Sequence, residues 1–124
     1  MVPAVVGLVC LCLGAVLVAA LPRPASADVS PEVLATLPAL TSPDMRFDQT
    51  TLEVQAGETV ALRFDNPHVA PHSFDIDALN VHVPVAAGES GLIMFKPTKP
   101  GTYTFYCDVP GHLEAGMKGT LIVK

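Results

Sequence analysis

The chain has 124 residues, enough for one small domain, and seven Lys and Arg against twelve Asp and Glu leave it a net charge of −5. An acidic chain without a Lys/Arg cluster does not suit phosphate backbones, so no nucleic-acid partner is expected. Nor is there a Walker-type or paired-glycine loop to cradle a nucleotide.

Half of the residues are apolar, but residues 1–27 hold 20 of those 62 and the rest of the chain has an ordinary globular share. Residues 1–27 (MVPAVVGLVCLCLGAVLVAALPRPASA) carry no charged side chain before Arg23. After Pro22 and Pro24 they end in the small-x-small triplet Ala25-Ser26-Ala27. This pattern predicts a signal peptide cleaved after Ala27. The alternative is an uncleaved anchor, because Val2–Leu21 is long enough to span a bilayer. Neither Cys10 nor Cys12 follows the small residue that bacterial lipidation prefers. Both readings put the domain outside the cytoplasm, in the periplasm or secreted, with membrane contact only through an uncleaved leader. Cleavage would leave Cys107 as the single cysteine, unable to form an internal disulfide.

Residues 28–44 (DVSPEVLATLPALTSPD) read as a linker or as a short helix capped by Ser30 with Pro31 at its first position. From Met45 onwards short alternating stretches are punctuated by turn residues, and residues 45–124 form the predicted domain. Leu52 and Val54 alternate with polar neighbours before the turn Ala56-Gly57-Glu58, and Val60, Leu62 and Phe64 give a second strand ending at Asn66-Pro67. His72, Phe74 and Ile76 share one parity, which predicts that Ser73 and Asp75 face outwards. Val81, Val83 and Val85 form the next strand, with His82 on the solvent side. Leu92–Lys96 follows, and then Tyr103, Phe105 and Cys107 on one face. Leu121 and Val123 close the domain. Seven or eight short strands without an amphipathic helix predict an all-β, antiparallel Greek-key sandwich.

The chemistry concentrates in TYTFYCDVPGHLEAGMKGTLIV. Cys107, His112 and Met117 are separated by four residues each, in a loop that Pro110, Gly111 and Gly116 make tight and irregular. A thiolate, an imidazole and a thioether form a soft donor set suited to copper, and a type 1 site needs one further imidazole. Strand parity selects His72 at the head of HSFDI. His68, in the loop NPHVAP, reads as an exposed loop histidine, and His82 as a solvent-facing one. Taken alone, Met117 would be a core methionine and Cys107 an inert small hydrophobe. A Cys–His nucleophilic pair would leave Met117 and His72 unexplained. A binuclear copper site would need a second thiolate in the loop, where position 111 is Gly.

HSFDI followed downstream by YCDVPGHLEAGMKG resembles the cupredoxin family of small blue copper proteins. The long loop is similar to the auracyanin and rusticyanin type, and the resemblance spans Phe47 to Lys124. It implies one copper per chain, cycling between Cu(I) and Cu(II), with His72, Cys107 and His112 as equatorial ligands and Met117 as the axial one. One departure is Ser73, where many members carry Asn after the first ligand histidine. Backbone N–H groups of Ser73 and Val109 are expected to donate to the Cys107 sulfur.

A filled coordination sphere leaves no place for a substrate, so the expected function is not enzymatic. It is one-electron carriage by outer-sphere transfer through the edge of His112. Pro110, Gly111, Leu113, Val69, Ala70 and Pro71 would form a small apolar docking patch around it. The partners would be a transient redox donor and acceptor of cytochrome or oxidase type, meeting a monomer, and the acidic charge favours basic docking surfaces. The alternative function is copper binding and delivery, for assembly of a copper enzyme or for copper tolerance.

Overall fold

The computed structural model describes residues 29–124. The leader, with its proposed cleavage site or anchor, lies outside the described residues. Among those residues no helix is long and apolar enough to cross a membrane.

A single six-residue helix, α1 (Pro31–Thr36), opens the described chain. Ser30 caps it by accepting a hydrogen bond from the Val33 N–H, and Pro31 stands where the helix has no amide to satisfy. Eight strands follow: β1 (Ala39–Thr41), β2 (Thr51–Val54), β3 (Val60–Asp65), β4 (His72–Ile76), β5 (Val81–Val85), β6 (Ser90–Phe95), β7 (Gly101–Tyr106) and β8 (Lys118–Val123). They form two sheets, one ordered β1-β3-β6 and the other β2-β8-β7-β4-β5. The expected β-sandwich is therefore present, but its sheets are mixed rather than wholly antiparallel. One edge strand of each sheet, β1 and β2, joins parallel to β3 and β8 respectively, while the remaining pairs are antiparallel.

Strand β1 precedes Met45, where the alternating pattern begins. It is only three residues long and buries one large side chain, Leu40, too little to register as a period. Between the sheets, Phe47 packs against Phe64 and Phe105 with ring centroids 5.9 and 5.1 Å apart, and Phe74 stacks on Phe105 at 5.1 Å. Ile76, Ile93 and Leu121 complete this core, all with no solvent exposure. Phe105 in β7 lies opposite Gly119 in β8. A Cβ at residue 119 would stand 2.2 Å from the Phe105 ring, so glycine here makes the space that the aromatic cluster fills.

Strand β4 departs from the alternating expectation, because all five of its residues are buried. Ser73 and Asp75, expected to face outwards, are covered. The outer face of β4 is covered by side chains from β5 and from the chain leaving β7, which bring polar partners to both residues. His82 keeps much of the solvent exposure expected of it, yet its ring is anchored to Asp75.

Candidate metal centre

Antiparallel pairing of β4 with β7, through Asp75 and Tyr106, brings the start of β4 to the end of β7. His72 is the first residue of β4, and Cys107 directly follows the last residue of β7. Two segments 35 residues apart thus meet at one end of the five-stranded sheet. From Cys107 the chain turns back on itself. His112 N–H donates to the Val109 carbonyl at 3.0 Å, Met117 N–H to the His112 carbonyl at 3.0 Å, and Cys107 N–H to the Met117 carbonyl at 3.1 Å. Gly111 and Gly116 supply the left-handed backbone, with φ of +85° and +100°, that such a tight return requires.

The result is a convergence of donor atoms. His72 Nδ1 and His112 Nδ1 lie 3.1 Å apart, and Cys107 Sγ is 3.4 Å from the latter and 4.0 Å from the former. All three residues are buried, His112 retaining 7% exposure against 1% for His72. Met117 has no exposure and belongs to the same buried cluster as Cys107. Its backbone hydrogen bonds tie it to both loop donors. Two imidazole nitrogens and a sulfur aimed at each other out of water present lone pairs that only shared protons or a cation can reconcile. Two imidazoles, a thiolate and a thioether suit copper, so the residues present fit that metal.

The cupredoxin-like domain family matches residues 10–123 of this chain. The chain belongs to the cupredoxin-like family. It is 36% identical over 109 residues to the copper-resistant cuproprotein CopI of Rubrivivax gelatinosus, covering 72% of this chain and 66% of that protein. It is 36% identical over 93 residues to rusticyanin of Acidithiobacillus ferridurans, covering 60% of this chain and 50% of that one. This cupredoxin thus spans two thirds or less of the length of those two relatives. A solved structure of auracyanin B, 29% identical, aligns with a TM-score of 0.61 over 69% of this chain and 86% of the other.

Around the donors, this cupredoxin differs in two respects from what its sequence led us to expect. His68 is half-buried rather than an exposed loop residue. Its ring stacks on His72 with centroids 5.2 Å apart, and its Nδ1 is 3.1 Å from His72 Nε2. The loop is folded inwards by Asn66, which is buried. Asn66 accepts a bond from the His68 N–H and donates to the carbonyls of Ala70, Val85 and Ala86. Occupying Nε2 of His72 leaves Nδ1 as the nitrogen that faces Cys107 and His112. The sequence contained a signal for this, the four-residue step from His68 to His72, but only the Asn66 bonds turn it into proximity. Burial, and then the neighbouring His112 and His68, push the His72 pKa from its ordinary 6.5 down to about 4. Its ring is therefore neutral near pH 7, the form in which imidazole ligates a metal.

The second difference concerns the sulfur. Ser73 N–H donates to Cys107 Sγ at 3.3 Å, the bond expected of it. Val109 N–H makes no such bond among the described residues, and its carbonyl is instead engaged by His112. The Ser73 hydroxyl, 3.8 Å from the same sulfur, is held between two carboxylates. It lies 2.8 Å from Asp108 Oδ1, contacts Asp75, and accepts the Asp108 N–H at 2.9 Å. Asp75 in turn holds His82. Strand parity alone could not reveal this group, because the partners of Ser73 and Asp75 come from other segments, Asp108 from the ligand loop and His82 from β5.

Proposed function

We propose that this cupredoxin domain carries single electrons between extracytoplasmic redox proteins through a type 1 copper centre held by His72, Cys107, His112 and Met117. The observation that supports the reading is the convergence of three buried donor atoms from two distant segments within about the span one ion can bridge. Bound there, copper supplies a reversible one-electron couple. The protein supplies a fixed frame: the Ser73 N–H bond steadies the thiolate, His68 orients His72, and the loop bonds set the spacing of His112 and Met117. Four protein donors leave no position for a substrate, so the domain acts as a carrier and not as an enzyme. Of the two histidines, His112 keeps contact with solvent and is the conduit for electrons. Leu113 at 39% and Val69 at 90% exposure, with exposed Pro71, Pro110 and Gly111, supply an apolar docking surface near the ligands. Such a surface suits brief encounters with a donor and an acceptor protein.

A second reading, copper binding for tolerance or delivery, is favoured by the likeness to CopI. Against it, residues 28–124 contain only Met45 and Met94 besides Met117, with no Met/His-rich cluster to offer an exchangeable site. Optical spectra and voltammetry of the copper-loaded protein test the carrier reading. It expects an intense visible thiolate-to-copper band and a reversible one-electron wave, and absence of that band would refute it. Incubation with a metal-free acceptor protein separates the two readings, since the carrier keeps its copper and a delivery protein surrenders it.

A further inference from the structure

Ser73 carries a short side chain, yet the ligand loop is firmly joined to β4 through it. The join is made by four side chains. The Ser73 hydroxyl has one proton to give and two carboxylates beside it, Asp75 and Asp108. A second hydrogen-bond donor is therefore needed between those carboxylates, and His82 provides it. Its Nδ1 bonds Asp75 Oδ1 and lies 3.4 Å from Asp108 Oδ2. Asp75 is itself buried, so its charge has little water to fall back on.

We propose that Ser73, Asp75, His82 and Asp108 form a proton-linked strap, in which protonated His82 on β5 clamps the two carboxylates around the Ser73 hydroxyl and so fastens the Cys107 loop to β4. The strap exists independently of any metal. Its consequence for copper, tighter retention when His82 is charged, rests on the function proposed above. The groups that face His82 are few. Asp75 comes from β4 and Asp108 from beyond β7. Asp77, which opens a 3-10 turn (Asp77–Leu79) between β4 and β5, is engaged by the Tyr106 hydroxyl, and β6, which also packs on β5, has no charged residue in Ser90–Phe95. The hydrogen bond to Asp75, and then the charges of Asp75 and Asp108, raise the His82 pKa above its ordinary 6.5. A raised folded-state value means that the clamp is complete below pH 6.5 and is lost as pH rises through the higher folded value. Loss of that proton leaves two anions converging on a single hydroxyl, and the loop loosens.

The test uses the full domain in its metal-free form. NMR titration would follow the His82 ring, and hydrogen exchange would follow the Asp108 amide, which bonds Ser73 Oγ. After the intrinsic alkaline acceleration of exchange is divided out, protection of that amide should fall several-fold with the same midpoint as the His82 titration. His82→Asn, with its fold checked by circular dichroism, should show low protection with no such midpoint. His82→Lys, a cation over a far wider pH range, should move the loss to alkaline pH. With copper bound, release to a chelator should accelerate several-fold across the same midpoint in the wild type only. Amide protection indifferent to the His82 proton, or unchanged in His82→Asn, would overturn the strap whatever the metal does. If the strap titrates but no thiolate band forms, it is the copper assignment that fails.

Discussion

Gly119→Ala offers a sharp probe of how the core holds the metal centre. The new Cβ would sit 2.2, 2.7 and 2.8 Å from three atoms of the Phe105 ring, where ordinary contact begins near 3.4 Å. The ring would have to retreat by about 1.2 Å. It has little room to do so, being fully buried against Phe74, stacked with its centroid 5.1 Å away, and Phe47, edge-on at 5.1 Å. Overpacking of this kind costs about 1–3 kcal/mol when a core can adjust, and this ring is fully buried in an aromatic cluster, so about 3 kcal/mol is expected. For a domain of this size that lowers Tm by more than about 12 °C. Phe105 is two residues before Cys107 on the same strand face, so the displacement should also reach the thiolate and shift the visible band of the copper-loaded protein. Urea unfolding of the wild type, Gly119→Ala, Phe105→Leu and the double variant forms a cycle that isolates the clash. The alanine should cost far less when residue 105 is Leu. A Gly119→Ala variant within about 0.5 kcal/mol of wild type would refute the packing argument.

Three further outcomes concern the donors. Cys107→Ser should abolish the visible band of the copper-loaded protein, since the band requires the thiolate. Met117→Leu should retain the band and raise the potential measured by voltammetry, because it removes only the weak thioether. In the metal-free protein, His72 sets an acid limit. Its pKa falls from 6.5 in the unfolded chain to about 4 in the fold, so the unfolded state binds the extra proton between those values. Stability should therefore drop as pH falls from 6.5 towards 4, by at most about 3 kcal/mol. Denaturation at pH 7.5, 5.5 and 4.5 checks this, and His72→Gln should flatten the profile.

The candidate donor set was legible as a candidate because its chemistry is dense in sequence: Cys107, His112 and Met117 fall within eleven residues, and glycines and a proline mark the turn that gathers them. His72 was legible for a different reason. Its parity with Phe74 and Ile76 carries the inward direction of β4, and short alternating strands convey that direction well. What sequence could not convey was what covers the other face of the same strand. Parity puts Ser73 and Asp75 on the side opposite the core because it counts only one layer, whereas His82 and Asp108 arrive from β5 and the ligand loop to bury them. His68 was misjudged on similar grounds. Its burial comes from Asn66 bonding to Ala70, Val85 and Ala86, three carbonyls that no local pattern connects. Strand β1 escaped because a three-residue strand has no period to read, and its parallel pairing with β3 is a long-range event.

The same division explains why the centre should be stiff. Each donor is held by the frame around it: His72 by strand β4 and the His68 ring, Cys107 by the Ser73 amide, and Cys107, His112 and Met117 by the backbone bonds of the loop. The aromatic cluster of Phe47, Phe74 and Phe105 lies directly behind β4 and β7, so the two segments that carry the donors cannot separate without opening the core. A metal that binds the folded chain and not the unfolded one then stabilises the whole sandwich by mass action. Conversely, any substitution that loosens the core lowers metal affinity in proportion to the folded fraction it removes. Chemical distance from the donors is therefore an incomplete guide to influence on them, and Gly119 acts on the centre through Phe105, which lies two residues before Cys107 on the same strand face.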